Sequence, residues 1–478
     1  MGADRELPAL GPVLLSRTAF AARRAQGARG VIALLGAAGL GTALGAGAPC
    51  PAAAASVWSP PATLSSCAAL ETPQVLFPSA SPIHATGPGA VVWRAAPGCP
   101  GGEGARLSRL GADLTPGAES VPRTATGKRI ALTGPLAASV APHGELLLAS
   151  TGSARPGVGQ LAEGVAGGPF APLAAVAAPF ALARGYLGDV AVASTVAGGR
   201  VGLRVERYFA RSLETRVVPR AAPLPGTPRG LSLALDFRTD ALVTWVQGGA
   251  LLARWLPASG GVQPLQRLAS TTGAIRTATL LSDNNHAIVA FSEDRHGSTR
   301  VFLARSGAGV RFGPVKLLEQ FRDPPGVAAP SASPLLVRLS SEGVMIAWAA
   351  VAAAHWVIRS AAIDQLGIGA PTTIAAPTGD ALLEDLAPGP AGDALLLWAE
   401  PQSSPAGASS GAQALYAARG FDVSPDRTIF AAPEQVAPAG ANSLATLALD
   451  PASDRALAVW HGPGDRLEYS IRASPAGP

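Results

Sequence analysis

Two glutamates stand where chemistry could be done. Glu293 and Glu400 each lie two residues after an aromatic that closes an apolar run, Phe291 and Trp398, so each opens a loop. A glycoside hydrolase needs two carboxyl groups facing each other across a pocket, one to protonate the leaving oxygen and one to act as base or nucleophile. These two come from distant segments with no nucleophilic tyrosine or arginine cluster beside them. The preferred reading therefore assigns no catalytic residue and keeps Glu293 and Glu400 as the alternative pair. The run Glu293, Asp294, Arg295 and His296, together with Glu400, reads instead as charged loop tips that touch a binding partner.

Other chemistry-bearing patterns dissolve on inspection. The string "GASSG" at 407–411 satisfies G-x-S-x-G, but a nucleophile elbow needs a strand, a sharp turn and a helix, and this string sits in the loop "PQSSPAGASSGAQ". Gly127-Lys128 lacks the rest of a phosphate-binding loop. The six histidines are scattered without zinc spacing, and no D-x-D-x-D-G calcium loop occurs. No metal and no cofactor is expected.

The elements that must position these residues repeat. Aligned on the residue that closes each apolar run, the runs end at Trp93, Ser150, Ser194, Trp245, Phe291, Trp348, Trp398 and Trp460, a spacing of about 52 residues. Each run, such as "DALVTW" or "RALAVW", is four or five apolar residues after a turn signal, the pattern of a strand buried on both faces. A shorter strand-like piece precedes it ("LSLALD", "LATLALD"), and two more follow ("ALLARW" then "VQPLQRLA"). Four short strands in a period near 50 residues is the pattern of a β-propeller blade. The fold expected is all-β, a single propeller of eight four-stranded blades, with seven as the alternative because the second and third units carry Ser in place of the aromatic. The last unit lacks a fourth strand, and "ETPQVLF" at 71–77 is expected to supply it, closing the ring and removing an open sheet edge.

The third piece of seven of the eight units carries an arginine: Arg109, Arg207, Arg254, Arg305, Arg359, Arg419 and Arg472, with Glu163 in the remaining one. Placed at the rim away from the loop tips, they are read as structural, capping carbonyls or pairing with a carboxylate of the next blade. The closing aromatics are likewise read as core between blades.

With its "GxAxxxW...xxxAR...F.xP" units, the stretch 71–478 resembles secreted bacterial β-propellers of the broad sialidase-like kind. That resemblance implies carbohydrate chemistry as the alternative function. The loop "FSEDRHGSTRVF" at 291–302 is similar to a sialidase Asp-box in Ser292 and Asp294, but Gly297 falls one residue late and no Trp follows. The loop also joins the second piece to the third, where an Asp-box joins the third to the fourth.

Composition sets the compartment. Charged residues make up 14% of the 478, with Gly 56 and Pro 44, which describes a turn-rich apolar chain. Arg23, Arg24 and Arg29 precede the apolar run 31–48, and "PAAAAS" offers an A-x-A cleavage site before Ser56, so 1–55 reads as an export signal, with an uncleaved anchor at 31–48 as the alternative. Cys50 follows a proline, a poor match to a lipobox. Cleavage removes five arginines against Asp4 and Glu6, and the formal charge falls from +5 to +2. Nothing in that balance suits nucleic acid, which needs clustered Lys and Arg. Residues 56–70 are read as a tether and 71–478 as the propeller. Two cysteines remain, Cys67 and Cys99, and an even count in an oxidising compartment predicts a disulfide. The protein expected is a secreted or envelope-associated monomer that binds an envelope protein or a glycan through variable loops, with a sialidase-like hydrolase as the alternative.

Overall fold

The computed structural model describes residues 57–474 apart from 79–86, 152–157, 186–189, 196–202, 209–212, 218–227, 237, 239, 258–262, 282–285, 308–310, 324–333, 340–342, 365–366, 376–379, 404–408, 425–426 and 441. They belong to one compact unit, Ala55–Pro478. Residues 1–55, expected to be an export signal, lie outside the described residues.

The chain is all-β, with antiparallel pairing throughout the sheets and no helix among the described residues. After β1 (Ala62–Ser65), the first sheet is β2 (Gln74–Leu76), β3 (Ala90–Ala95) and β4 (Gly104–Arg109), with Ser120 bridged to Leu107 where a fourth strand would run. The second has seven strands: β5 (Leu136–Val140), β6 (Glu145–Thr151), β7 (Val158–Val165), β8 (Phe170–Arg184), β9 (Val190–Thr195), β10 (Leu203–Tyr208) and β11 (Leu213–Val217). Two four-stranded meanders follow, β12 (Arg229–Leu235) with β13 (Ala241–Gln247), β14 (Ala250–Leu256) and β15 (Gln266–Ser270), then β16 (Ala274–Leu281) with β17 (Ala287–Asp294), β18 (Ser298–Arg305) and β19 (Lys316–Arg322). A third is β20 (Leu335–Arg338), β21 (Val344–Ala352), β22 (His355–Ile363) and β23 (Thr372–Ala375). The next sheet holds β24 (Leu382–Pro388), β25 (Asp393–Ser403), β26 (Ser409–Ser424), β27 (Arg427–Phe430) and β28 (Glu434–Gly440), the last two both paired with β26. The final sheet is β29 (Ser443–Leu449), β30 (Ala456–His461), β31 (Leu467–Arg472) and, beside β31, β1.

All eight aligned runs are second strands of a meander, flanked on both sides, which is why they are apolar without alternation. The weak second and third units share one hydrogen-bonded sheet. Their common strand β8 pairs with β7 through its first half and with β9 through its second. Alanine dominates β8, seven of its fifteen residues, and it contains no glycine.

Eight apolar clusters lie between successive meanders. The closing aromatics fill them: Trp398 packs with Met345 and Ile358 of the preceding sheet, Trp460 with Leu397 and Leu415, and Trp93 with Val459 and Leu467 of the last sheet. First strands touch in succession, β2 to β5, β5 to β8, then β12, β16, β20, β24 and β29, and β29 in turn touches β2.

The closing strand is not the one expected. Residues 74–76 form the first strand of the first sheet, pairing with β3, while β1 pairs with β31, Ala62 opposite Tyr469 and Thr63 opposite Glu468. Trp58 bridges Arg472, and Ser59 N–H donates to Ile471 O at 2.8 Å. Within the expected tether, Ala62–Ser65 therefore form a strand, and residues 57–61 lead into it with an isolated bridge at Trp58. Their own sequence, "VWSPPATLS", carries little strand propensity, and the open edge of β31 confers the conformation. Cys67, two residues past β1, is bonded to Cys99 in the β3–β4 loop with Cα atoms 5.6 Å apart.

Candidate functional site

The loop-tip glutamates are held by internal partners. Glu293 is buried and accepts from Arg300, directly opposite it on β18, and from the Thr271 hydroxyl. Asp294 pairs with Thr299, and Arg295 and His296 form an exposed tip in which His296 takes a left-handed φ of 53° before Gly297 at 73°. Glu400 lies within β25, half-buried, and accepts from Trp398 Nε1 at 2.9 Å. The β20–β23 sheet separates the two glutamates in the succession, so the fold does not bring them together. Of "GASSG", residues 407 and 408 lie outside the described residues, and Ser409 opens strand β26 opposite Ser403, without an elbow.

The repeating arginines bind structure to structure. Arg419 holds Asp393 of its own sheet and, at 2.8 and 2.9 Å, Asp454 in the β29–β30 loop of the next. Arg305 reaches the carbonyls of Asp364 and Gly367 in the next sheet, and Arg254 caps Gln263 O at 3.0 Å. Arg472 reaches backwards to Glu434, and Arg359 to Glu319 at 2.7 Å. Arg359 is not an equivalent of the others: it stands opposite Trp348, as the buried Arg106 stands opposite Trp93. Arg109 is exposed, and the side chain of Arg207 lies outside the described residues.

Polar groups missed in the sequence converge on the first strands. These strands lie side by side without a shared backbone ladder, and side chains bridge the gaps. Gln74 of β2 accepts from Ala138 N–H and donates to Leu136 O, both at 2.8 Å. The hydroxyl of Thr279 on β16 meets that of Thr244 on the second strand β13 at 2.7 Å. Between β24 and β29, Glu384 accepts from Ala445 N–H at 3.1 Å, while Asp385 accepts from Leu447 N–H at 2.9 Å and the Thr446 hydroxyl at 2.8 Å. Successive strand residues normally face opposite ways; a register shift between Leu383 and Asp385 lets two consecutive acids engage one neighbour.

Of these groups Gln74, Glu384, Asp385 and Thr446 line a cleft of about 450 Å³, where pockets of some hundreds of Å³ suit small ligands. Its walls are the starts of β2, β5, β24 and β29, with Glu71, Gln74, Glu384, Asp385 and Thr446. Burial pushes the Glu384 carboxyl up to about 7, only partly offset by the Ala445 N–H, and Asp385 adds to the rise. Burial raises Asp385 as well, against its three hydrogen bonds. Glu71 accepts from Arg94 at 2.6 Å. The sequence signal was two adjacent acids in the otherwise apolar "ALLEDLAPG". Farther along the same strands lies a channel of about 820 Å³, a size typical of ligand cavities, lined by residues of all eight first strands. No group of three or more His, Cys, Asp or Glu residues fit to hold a metal occurs among the described residues.

No protein-family model matches the chain, and no curated protein matches it. Among solved structures it is similar to the BP39L lectin from Burkholderia pseudomallei, at 15% identity over 78% of this chain and 100% of that one, TM-score 0.45. A PL25 polysaccharide lyase, an ulvan lyase, matches at 9% identity over 85% and 94%, TM-score 0.44. Aleuria aurantia lectin, solved with Fucα1-6GlcNAc, matches at 10% identity over 66% and 99%, TM-score 0.35. At these identities and scores the likeness says nothing of ligand or activity.

Proposed function

We propose that the chain is an exported, monomeric eight-bladed β-propeller that binds a glycan and does not turn it over. The blade count is supported by the eight first strands that touch in succession and by the eight apolar clusters between meanders. The observation that carries the function is the polar cleft at the starts of β2, β5, β24 and β29, where carboxylates, an amide and a hydroxyl face one space. Such acceptors and donors match sugar hydroxyls. The binding reading is favoured over hydrolysis because the two inner-strand acids are neighbours in one strand and are both bonded to β29. The protein, screened on a glycan array, is expected to bind a defined subset of glycans and to lose it in Thr446→Val and Glu384→Ala. Binding to no glycan, or binding unchanged in both variants, would sink the reading. Export is tested by N-terminal sequencing of protein from the medium, expected to begin at Ser56.

One observation favours a second reading. Glu384, its carboxyl pushed up to about 7 by burial, shares its cleft with Glu71 beside Arg94, and carboxyl groups whose environments differ are how glycosidases divide acid from base. If aryl glycosides are hydrolysed and Glu384→Gln and Glu71→Gln both abolish turnover, the protein is a hydrolase with these acids in place of Glu293 and Glu400.

A further inference from the structure

The channel beyond the cleft has a different chemistry. It is walled by Leu182, Leu233, Leu280, Leu336, Leu386 and Leu449 among other apolar residues, and among the described residues its only charged lining residues are Arg184 and Arg338, with no Asp or Glu. Arg184 ends β8. One of its terminal nitrogens donates to Phe77 O and to Val140 O, the latter at 3.3 Å, so it straps β2 and β5 to its own strand. A guanidinium carries five N–H donors, and among the described residues no carboxylate pairs with it.

We propose that this channel binds a small amphipathic carboxylate of the fatty-acid type, its head group on the Arg184 guanidinium and its aliphatic body along the leucine wall. A cation held in apolar surroundings without a counter-ion is costly, and an arriving anion removes that cost while gaining a charge-assisted hydrogen bond. Burial lowers the Arg184 pKa to about 10, and no acid among the described residues raises it again. The group remains charged at neutral pH, so the site selects anions throughout the physiological range. The leucines then select for a hydrocarbon body, since burying each methylene adds favourable transfer free energy. Inorganic anions lack that term. The site is distinct from the polar cleft, which uses the opposite ends of the same strands, and it does not depend on the glycan reading.

Calorimetric titration of the whole protein with decanoate tests this, with decanol and inorganic phosphate as the comparison probes. Decanoate is expected to bind, decanol to bind about tenfold or more weakly, as loss of a charge-assisted contact implies, and phosphate not to bind. Arg184→Met is expected to weaken decanoate by a similar factor and leave decanol unchanged. Because Arg184 also straps two strands, Leu336→Phe serves as a second variant: it narrows the channel, leaves the strap intact and should weaken both decanoate and decanol. No binding of decanoate to the parent protein, equal binding of decanol, or decanoate binding unchanged in Leu336→Phe would each overturn the proposal.

Discussion

Arg472 grips Glu434 with two hydrogen bonds, 2.7 and 2.8 Å long, so that the third strand of the last sheet is clasped to β28 of the sheet before it. The same carboxylate accepts from Trp58 Nε1 at 3.1 Å. One glutamate thus ties together the penultimate sheet, the last sheet and the N-terminal segment that completes it. Glu319 repeats the device two sheets earlier, accepting from Trp348 Nε1 at 2.8 Å and from Arg359.

Removing the arginine leaves a shielded carboxylate with one neutral donor. Arg472→Ala is therefore expected to lower stability by about 2 to 3 kcal/mol, the range for breaking a largely buried ionic hydrogen bond from one side. Urea denaturation measures it. Arg109→Ala, at an exposed equivalent, is expected to change stability by less than about 0.5 kcal/mol, and equal losses in the two would refute the clasp.

The closing strand can be separated from the disulfide beside it. A chain beginning at Ser66 keeps Cys67 and Cys99 but loses β1, leaving the β31 edge unpaired. Such edges template association, so the shortened protein is expected to form oligomers or aggregates by light scattering and to melt earlier. A monodisperse sample with unaltered melting would show that β1 contributes nothing to closure.

The disulfide itself closes a loop with a sequence separation of 32. Loop-closure entropy puts its stabilisation at about 3 to 4 kcal/mol. Guanidinium denaturation of the Cys67→Ser, Cys99→Ser double variant should show a loss of that order, and adding reductant should lower only the parent. If reductant leaves the parent's midpoint in place, the bond does not form or does not stabilise.

Glu384 makes a pH prediction whose sign follows from burial. Its folded pKa, about 7, lies above the ordinary 4.5, so below about 4.5 both states are protonated and the residue is neutral to stability. As pH rises from 4.5 to 7 the unfolded chain ionises first, and the folded state loses ground by up to about 3 kcal/mol. Glu384→Gln keeps an acceptor for Ala445 N–H and removes the ionisation. Its melting temperature should match the parent's near pH 4.5 and exceed it at pH 8. A difference that stays constant with pH would contradict the burial of this carboxyl.

What the sequence determined by itself was the strand repertoire. Apolar runs closed by Trp or Phe mark strands covered on both faces, and the pieces around them alternate as strands do, because burial of a second strand between two neighbours and two packed sheets imposes its composition locally. Cys67 and Cys99 were legible for the same kind of reason, as the two cysteines left once residues 1–55 are read as an export signal. Tertiary structure decided the rest. Residues 62–65 have no apolar run, and only the vacant edge of β31, some four hundred residues away in sequence, makes them a strand; residues 74–76 look like a last strand and become a first one. Glu293 reads as a free loop acid until Arg300 and Thr271 are folded against it. Glu384, Asp385 and Arg184 acquire their surroundings from first strands of other sheets, and proximity between strands separated by whole sheets leaves no periodicity in the residues themselves.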